Sequence, residues 1–476
     1  MIDTEALRKK VIDLAIQGKL TERLPSDGNA EELYDQILNQ KAQLIKEGKI
    51  KKEKAMPEIK ADEIPFEIPE NWKWVRLRDI CKKIVDGDHN PPAGIKEKTE
   101  YLMLSAQNIN NDKLVNIDNA RYLTEEVFNE ENKRTQLEVG DVLLTIVATL
   151  GRSCVYRETY NICFQRSVCV ISTLINPDYL KRVLDSGFVQ KLMVDGATGA
   201  AQPGFYLNKV EKICIPVPPM EMQTRIVDRI GEVLEQIDII DDLQGKYSND
   251  VAVLKSKIID AGIQGKLTEQ LPEDGTAEEL YEKIQEEKAK LIKEGKIKKE
   301  KPLPDIAEEE IPFEVPDNWK WCRLGEIYSV MMGQSPDGMN VGIDIEGIEF
   351  HQGKIYFGEK YLMKSELKTS ELTRIAEENS VLLCVRAPVG VVNITERKIC
   401  IGRGLCALTV LADMEPYYLF YYLLSCRKSF ENSGTGSTFS SITVDVVKKH
   451  LIPIPPLAEQ KRIVSKIDAI LEQLNF

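Results

Sequence analysis

The stretch Ile16–Glu22 reads IQGKLTE, and the same seven letters return at Ile263–Glu269. The match extends around this motif without a gap, between residues 7–80 and residues 254–327, at a constant offset of 247. Self-similarity over such a length is typical of a chain built from repeated structural units. We therefore expect one fold to occur twice along this chain.

A second shared block closes each repeat, at an offset of 237. It reads IPVPP and MEMQTRIV at 215–227, and IPIPP and LAEQKRIV at 452–464. Between the shared blocks lie segments 81–208 and 328–445, which differ by ten residues in length and diverge strongly in sequence. This pattern predicts a common framework that carries two different surfaces.

The divergent segments keep a faint common skeleton. LLTIVATLG at Leu143–Gly151 matches LLCVRAPVG at Leu382–Gly390, and Arg166 falls opposite Arg403. The simplest interpretation is that the core of one fold is retained in both segments while its surface has changed.

The segment after Pro218 and Pro219 has the apolar spacing of a coiled coil. Its apolar positions alternate steps of four and three residues for nearly five heptads, with Gln244 as the single polar position. Such a seam is buried against another helix, so we predict a central helix of about 40 residues with a helical partner. The apolar positions are Ile226, Ile230, Val233, Ile237, Ile240, Tyr247, Val251, Leu254 and Ile258.

The two ends of the chain repeat this seam and predict the partner helix. We expect the ends to form one interrupted helix, antiparallel to the central helix. The repeated positions are Ile463, Ile467, Ile470 and Leu474 at one end, and Thr4, Leu7, Val11 and Leu14 at the other. Further helices are predicted at Ala30–Glu47 and Ala277–Glu294, because each follows a Pro-x-Asp-Gly turn and is followed by a glycine.

The expected fold class is α+β, with two mixed α/β domains separated by a long antiparallel coiled coil and related by an internal pseudo-two-fold repeat. The predicted regions are an N-terminal helical region (1–60), a first α/β domain (61–219), a central helical region (220–307), a second α/β domain (308–456) and a C-terminal helix (457–476).

Composition limits the function classes. The chain has 476 residues, 43% of them hydrophobic, and a net charge of −13, which argues against a protein that holds DNA by charge alone. No CxxC motif occurs among the ten cysteines, and the three histidines are far apart, so no metal site is predicted. The polar N-terminus is unlike a secretory signal, and no apolar run has the length of a membrane helix, so we expect a cytoplasmic protein.

Motifs of catalysis are incomplete. Asn90-Pro91-Pro92 is similar to the NPPY motif of adenine methyltransferases, but Ala93 stands where an aromatic ring would stack on the flipped base. No GxxxxGK phosphate-binding loop occurs in the sequence. We therefore expect no catalytic site in this chain.

Several motifs, in their order and duplication, resemble the specificity subunit of type I restriction-modification systems along nearly the whole chain. They are IPENWKWVRL (Ile68–Leu77), VPDNWKWCRL (Val315–Leu324), DGDHNPP (Asp86–Pro92), GQSP (Gly333–Pro336), GDVLL (Gly140–Leu144) and the two proline-rich exits (Pro216–Gln223, Pro453–Gln460). The short C-terminal helix departs from this pattern, since it needs the N-terminal helix to complete it.

The resemblance implies that each α/β domain is a target-recognition domain that reads one half of a bipartite site in double-stranded DNA. It also implies that the helical regions set the spacing and dock two methyltransferase subunits, joined by motor-nuclease subunits. S-adenosylmethionine, ATP and Mg²⁺ would be bound by those partners and not by this chain. Two alternatives stay open: a coiled-coil protein-interaction scaffold, and the specificity subunit of a modification-only or type II-like methyltransferase.

Polar side chains that can reach base edges or phosphates are the candidate DNA contacts. Because Arg166 and Arg403 recur in both domains, we expect them to be structural or to face phosphate. In the first domain the candidates are His89, Asn90, Ser105, Gln107, Asn108, Asn110, Arg152, Arg166 and Gln202. In the second they are Gln334, Ser335, His351, Gln352, Lys354, Arg386, Arg403 and Thr438.

The two divergent segments are nearly neutral. Segment 81–208 carries a net charge of −2 and segment 328–445 a net charge of −3. The positive side chains are therefore expected to be segregated on one face of each domain, and the isolated chain is expected to bind DNA weakly.

Overall fold

The computed structural model describes residues 1–199, 202–434 and 441–474. The chain divides into two compact units, Met1–Gly245 and Lys246–Phe476. Both units mix helices with small, mostly antiparallel sheets. In the described part of the chain, none of the helices is long and apolar enough to cross a membrane.

The elements up to the end of the central helix follow in chain order. They are α1 (Thr4–Ile16), α2 (Ala30–Lys46), β1 (Lys73–Arg76), β2 (Cys81–Asp86), β3 (Tyr101–Leu104), β4 (Ile109–Asn110), β5 (Lys113–Leu114), β6 (Arg121–Tyr122), α3 (Glu125–Thr135), β7 (Val142–Thr145), β8 (Ser153–Val155), β9 (Asn161–Phe164), β10 (Val168–Thr173), α4 (Pro177–Asp185), α5 (Gly187–Asp195), α6 (Leu207–Val210), β11 (Cys214–Val217) and α7 (Met220–Ile263).

The remaining elements belong to the second unit. They are α8 (Ala277–Lys293), β12 (Lys320–Arg323), α9 (Leu324–Ile327), β13 (Ser329–Met332), β14 (Val341–Gly342), β15 (Ile348–His351), β16 (Lys368–Thr369), β17 (Ile375–Ala376), β18 (Val381–Cys384), β19 (Val392–Ile394), β20 (Ile399–Ile401), β21 (Leu405–Thr409), α10 (Pro416–Ser425), α11 (Arg427–Ser433), α12 (Val444–Lys449), β22 (Leu451–Ile454) and α13 (Leu457–Gln473).

The principal sheets of the two units have the same strand order. In the first unit an antiparallel sheet runs β2-β10-β7-β8, and in the second the order is β13-β21-β18-β19. A two-stranded sheet pairs β1 with β11, and its counterpart pairs β12 with β22. Each unit also contains a parallel pair of strands, β3 with β9 in the first and β15 with β20 in the second. The two units differ in the sheet that contains this parallel pair, which has three strands in the first unit and five strands in the second.

Equivalent polar contacts hold the shared framework. The guanidinium of Arg76 is buried and donates to the carbonyl oxygen of Lys212 at 2.9 Å. Its counterpart Arg323 donates to the carbonyl oxygen of Lys449 at 2.8 Å. A buried arginine that satisfies backbone carbonyls explains why this residue type occurs at both positions.

The turn inside the IQGKLTE motif, directly after α1 and after α7, requires glycine. Gly18 has a φ of +70°, and a Cβ there would lie 2.5 Å from Pro69 Cγ. Gly265 has the same φ, and its Cβ would lie 2.7 Å from Pro316 Cγ. Left-handed glycines of this kind end helices, so α1 and α7 end at equivalent places in the repeat.

In the first unit α1 runs antiparallel to α7, and its first residues contact the middle of α7. Arg8 pairs with Asp238 at 2.6 Å and with Asp241 at 2.7 Å, while the backbone N–H of Ile2 donates to Gln244. Of the predicted seam residues here, Ile237 is buried, whereas Leu7 is 36% exposed and contradicts the prediction.

The predicted seam is wrong at Tyr247 and Leu254, whose side chains are 55% and 44% exposed. A seam residue is buried only where a second helix lies against it. In the first unit Thr4, the first residue of α1, hydrogen-bonds to Asp241, and Ile2 before the helix hydrogen-bonds to Gln244.

In the second unit α13 packs against the end of α7. A Cβ at Gly262 would lie 2.7 Å from Ile467 Cδ1 and 3.3 Å from Ile463 Cγ2, so the absence of a side chain permits the close approach of the two helices. Ile463 and Ile467 are fully buried in the core of this unit.

Candidate nucleic-acid interface

The turn between β9 and β10 anchors the candidate residues that follow β2. The backbone N–H of Asp88 donates to the carbonyl oxygen of Phe164 at 2.8 Å, and the backbone N–H of Arg166 donates to the carbonyl oxygen of Asp88 at 2.8 Å. This exchange joins the loop of His89 and Asn90 to Arg166. All three candidate side chains are exposed.

The same turn also anchors the loop after β3. The backbone N–H of Gln165 donates to the carbonyl oxygen of Leu104 at 2.9 Å, and the backbone N–H of Ala106 donates to Ser167 Oγ at 3.0 Å. Two further candidates, Ser105 and Gln107, therefore lie on a loop fixed to the β9–β10 turn.

A third loop follows β7 and reaches Gln202 and Arg152. The backbone N–H of Ile146 donates to the carbonyl oxygen of Ser167 at 2.9 Å, and that of Ala148 donates to the carbonyl oxygen of Pro203 at 2.9 Å. Arg152 follows this loop and is exposed. Backbone hydrogen bonds thus connect the predicted residues of the first unit from His89 to Gln202.

Asn110 lies in a short hairpin beside β7 and β8. It ends β4, in the short hairpin with β5, and its side chain accepts a hydrogen bond from the backbone N–H of Asn111 at 2.9 Å.

The second unit repeats the arrangement around the turn between β20 and β21. The backbone N–H of Gln334 donates to the carbonyl oxygen of Ile401 at 3.0 Å, and the backbone N–H of Arg403 donates to Ser335 Oγ at 3.4 Å. The backbone N–H of Gly402 donates to the carbonyl oxygen of His351 at 2.8 Å. The loops of Gln334, Ser335 and Arg403 therefore meet as their counterparts do in the first unit.

Three candidates of the second unit line a single cleft. Gln352, Lys354 and Arg386 surround a volume of about 170 Å³, together with Gly353, Cys384, Ala387, Pro388 and Gly404. The three polar side chains are exposed. The structure thus brings together residues that are 34 positions apart in sequence, which no local pattern could establish.

Two glycines permit the loops to meet, and sequence reasoning had not singled them out. A Cβ on Gly87 would lie 2.1 Å from the carbonyl oxygen of Phe164, and a Cβ on Gly333 would lie 2.1 Å from that of Gly402. Both glycines directly follow the strand that leads into the candidate loop. In the sequence, a glycine precedes different polar residues in the DGDHNPP and GQSP motifs. A glycine kept at this place in both repeats could have indicated that the backbone there is closely packed.

The prediction for Asn108 is corrected. Its side chain is buried, accepts a hydrogen bond from the backbone N–H of Ser105 at 3.1 Å and donates to the carbonyl oxygens of Val115 at 3.3 Å and Asn116 at 3.2 Å. Its hydrogen-bonding groups are engaged within the loop, so Asn108 stabilises that loop and does not face a ligand.

The prediction for His351 is also corrected. Its side chain is fully buried, with Nε2 3.2 Å from Glu349 Oε2 and the ring packed edge-on against Tyr356. Burial lowers the pKa of His351, while Arg397 and neighbouring hydrogen bonds hold the pKa of Glu349 at about 2 despite its partial burial. His351 therefore belongs to the interior of the domain. Thr438 lies outside the described residues.

The charged candidates differ from the two framework arginines, Arg76 and Arg323. Arg76 and Arg323 are buried and paired with Glu63 and Glu310, each at 2.8 Å. By contrast, no ion pair within residues 1–199, 202–434 and 441–474 engages the exposed candidates, which are Arg152, Arg166, Lys354, Arg386 and Arg403. Exposed cations without a carboxylate partner leave positive charge available to an anionic ligand even though each segment is nearly neutral.

His89 is the exception among the exposed candidates because it has a carboxylate partner. Its Nε2 lies 2.7 Å from Oδ2 of the buried Asp86, which also binds Arg134. This contact fixes the ring direction at the end of β2. Among the residues that the structure describes, His, Cys, Asp and Glu side chains form no group of three that could hold a metal ion.

Comparison with known proteins identifies the family. The model of the type I restriction modification DNA specificity domain matches residues 69–246 and 316–475. The specificity subunit of the type I restriction enzyme EcoAI from Escherichia coli is 27% identical, with 98% of this chain and 89% of that protein covered. The EcoEI specificity subunit, also from Escherichia coli, is 25% identical, with 97% and 88% covered.

Solved structures show the same fold. A chain from a study of complex assembly and conformational transition of the type I R-M system has a TM-score of 0.61 at 24% identity, covering 86% of this chain and 92% of that one. The HsdS subunit from Thermoanaerobacter tengcongensis has a TM-score of 0.51 at 24% identity, covering 87% and 92%. With its mixed α/β fold and a family model that covers both halves, this chain belongs to the type I restriction modification DNA specificity family.

Proposed function

We propose that this chain is the non-catalytic subunit that gives a type I restriction-modification enzyme its DNA sequence specificity, and that each unit reads one half of a bipartite site. The observation that carries the proposal is the pair of equivalent loop clusters, which share backbone hydrogen bonds but present different exposed polar side chains. A common framework with different groove-facing groups is what two half-sites of different sequence require.

Catalysis and cofactors are assigned to partner subunits in this proposal. The helical regions dock two methyltransferase subunits, which use S-adenosylmethionine, and motor-nuclease subunits supply the ATP- and Mg²⁺-dependent steps. The central helix α7, of 44 residues, sets the spacer between the half-sites. At about 1.5 Å per residue such a helix extends over about 65 Å. We place the complex in the cytoplasm, in keeping with ten free cysteines, nine of them buried.

Exchange of one divergent segment tests the proposal directly. Replacing residues 81–208 by the corresponding segment of another family member is expected to change one half of the methylated motif and to leave the other half unchanged. Methylome sequencing of strains that carry the original and the chimeric gene measures this. The matched control replaces residues 328–445 and should change the other half. Methylation that does not depend on either exchange would favour the interaction scaffold instead.

Binding by the isolated chain is expected to be weak. A net charge of −13 opposes association with DNA, and about 10- to 1,000-fold tighter binding is expected once methyltransferase subunits enclose the duplex. A gel-shift series with and without the methyltransferase partner, at fixed salt, measures the difference. Strong, sequence-specific binding by the chain alone would contradict this division of labour.

A further inference from the structure

We propose that the cleft of the second unit is a guanine-reading site and that Arg386 is its specificity-determining residue. This inference rests on the proposed function and names the base that one part of the interface recognises. The cleft has about 170 Å³ of space, and Gln352, Lys354 and Arg386 supply its polar side chains.

Arg386 follows a backbone position that is held on both sides. The backbone N–H of Val385 donates to the carbonyl oxygen of Gly404 at 2.9 Å, and the backbone N–H of Ile442 donates to the carbonyl oxygen of Val385 at 3.0 Å. The backbone that carries the Arg386 side chain is therefore held in place, while the residue itself is exposed. A fixed origin with a free, planar donor group is what bidentate recognition of a base edge needs.

The first unit has the same backbone at this place but not the arginine. There the backbone N–H of Ile146 donates to the carbonyl oxygen of Ser167 at 2.9 Å, and that of Phe205 donates to the carbonyl oxygen of Ile146 at 2.8 Å. The residue that corresponds to Arg386 is Val147, which is 5% exposed. One framework thus carries a free arginine in one unit and a buried valine in the other.

The presence of Arg386 in one unit and Val147 in the other indicates a contact to a base and not to a phosphate. Phosphates are alike in every sequence, so a phosphate-binding arginine can be retained in both units, as Arg166 and Arg403 are. A residue that reads a base must differ between half-sites of different sequence. Arg386 meets this condition, and arginine that donates to guanine O6 and N7 is the commonest specific contact in the major groove.

The other walls of the cleft position this contact. A Cβ on Gly404 would lie 2.2 Å from the carbonyl oxygen of Gln352, so the chain segments below the cleft are in close backbone contact. Lys354 adds a second exposed cation beside Arg386. Cations at the rim attract the phosphates that flank the base whose edge Arg386 reads.

The test uses the full-length chain assembled with its methyltransferase partner and a set of duplexes in which each base pair of the second half-site is changed in turn. Arg386→Ala is expected to lower affinity for the cognate duplex by about 10- to 100-fold and to abolish discrimination at one G·C pair only. Arg386→Lys retains the charge but not the fork of donors, so it should lose most of the same discrimination.

Two control variants fix the interpretation. Arg427→Ala removes an exposed arginine of the same unit that is already paired with Glu431 at 2.9 Å, and it should leave binding unchanged. Arg403→Ala should weaken binding to all duplexes by a similar factor.

The inference is overturned if Arg386→Ala weakens every duplex equally, if it relaxes an A·T position, or if it has no effect while the wild-type complex discriminates. A wild-type complex with no base preference in the second half-site would instead overturn the proposed function.

Discussion

Replacing Glu459 by methionine is expected to lower the free energy of unfolding of the second unit by about 3 kcal/mol, because it leaves buried donors without an acceptor. Glu459 is fully buried near the start of α13. Its Oε2 accepts a hydrogen bond from Trp319 Nε1 at 2.9 Å, and its Oε1 accepts hydrogen bonds from Thr268 Oγ1 at 3.0 Å and Gln270 Nε2 at 2.8 Å. Urea unfolding of the full chain measures the change.

The first unit contains the methionine version of the same site. Met222 corresponds to Glu459 and is fully buried. Trp72 Nε1 and Thr21 Oγ1, the counterparts of the Trp319 and Thr268 donors, are buried and have no hydrogen-bond partner among the described residues. The expected result for Glu459→Met is therefore a less stable unit with the same fold.

Matched variants identify the cause of the loss. Glu459→Gln keeps an acceptor oxygen and should cost less than the methionine variant. Trp319→Phe removes one of the donors. The double variant Glu459→Met with Trp319→Phe should therefore lose less free energy of unfolding than the two single variants lose together. A Glu459→Met protein that unfolds at the wild-type urea concentration would show that the buried carboxylate gives no net stabilisation.

The sequence predicts elements that depend on local chemistry. The helix expected at Ala30–Glu47 is observed at Ala30–Lys46, because a capping residue, a run of helix formers and a terminal glycine are all local signals. The long helix after Pro219 is likewise observed, from Met220 to Ile263.

The sequence did not predict which polar side chains of the candidate site are exposed. Asn108 and His351 have the residue types of DNA contacts, yet both are buried. Their burial depends on contacts made by the loop fold and by neighbouring strands, which polarity alone does not reveal. The aligned blocks show methionine at position 222 where the second repeat has Glu459. The tryptophans that lie at these sites, Trp72 and Trp319, are more than 130 positions away in sequence, so their contact with the differing residue could not be predicted.

Alanine at Gly87 or Gly333 is expected to abolish recognition of one half-site each. The added Cβ would lie 2.1 Å from a backbone oxygen, which cannot move aside as the end of a flexible side chain can. In the first unit the displacement breaks the hydrogen bond from Gly87 N–H to the carbonyl oxygen of Val168, now 3.0 Å long, and separates the His89 loop from Arg166. Overpacking of this kind also costs about 1–3 kcal/mol of stability.

The measurement is the affinity of the complex for duplexes with changes in one half-site at a time. For Gly87→Ala, changes in one half-site should no longer affect binding, while changes in the other half-site still do; Gly333→Ala should show the reverse. Gly338→Ala is the matched control, since a Cβ at that position meets nothing within 4 Å. If Gly87→Ala retained wild-type discrimination in both halves, the close contact between the β2 loop and the β9–β10 turn would not be required for reading DNA. The interface would then have to be sought on another face of the unit.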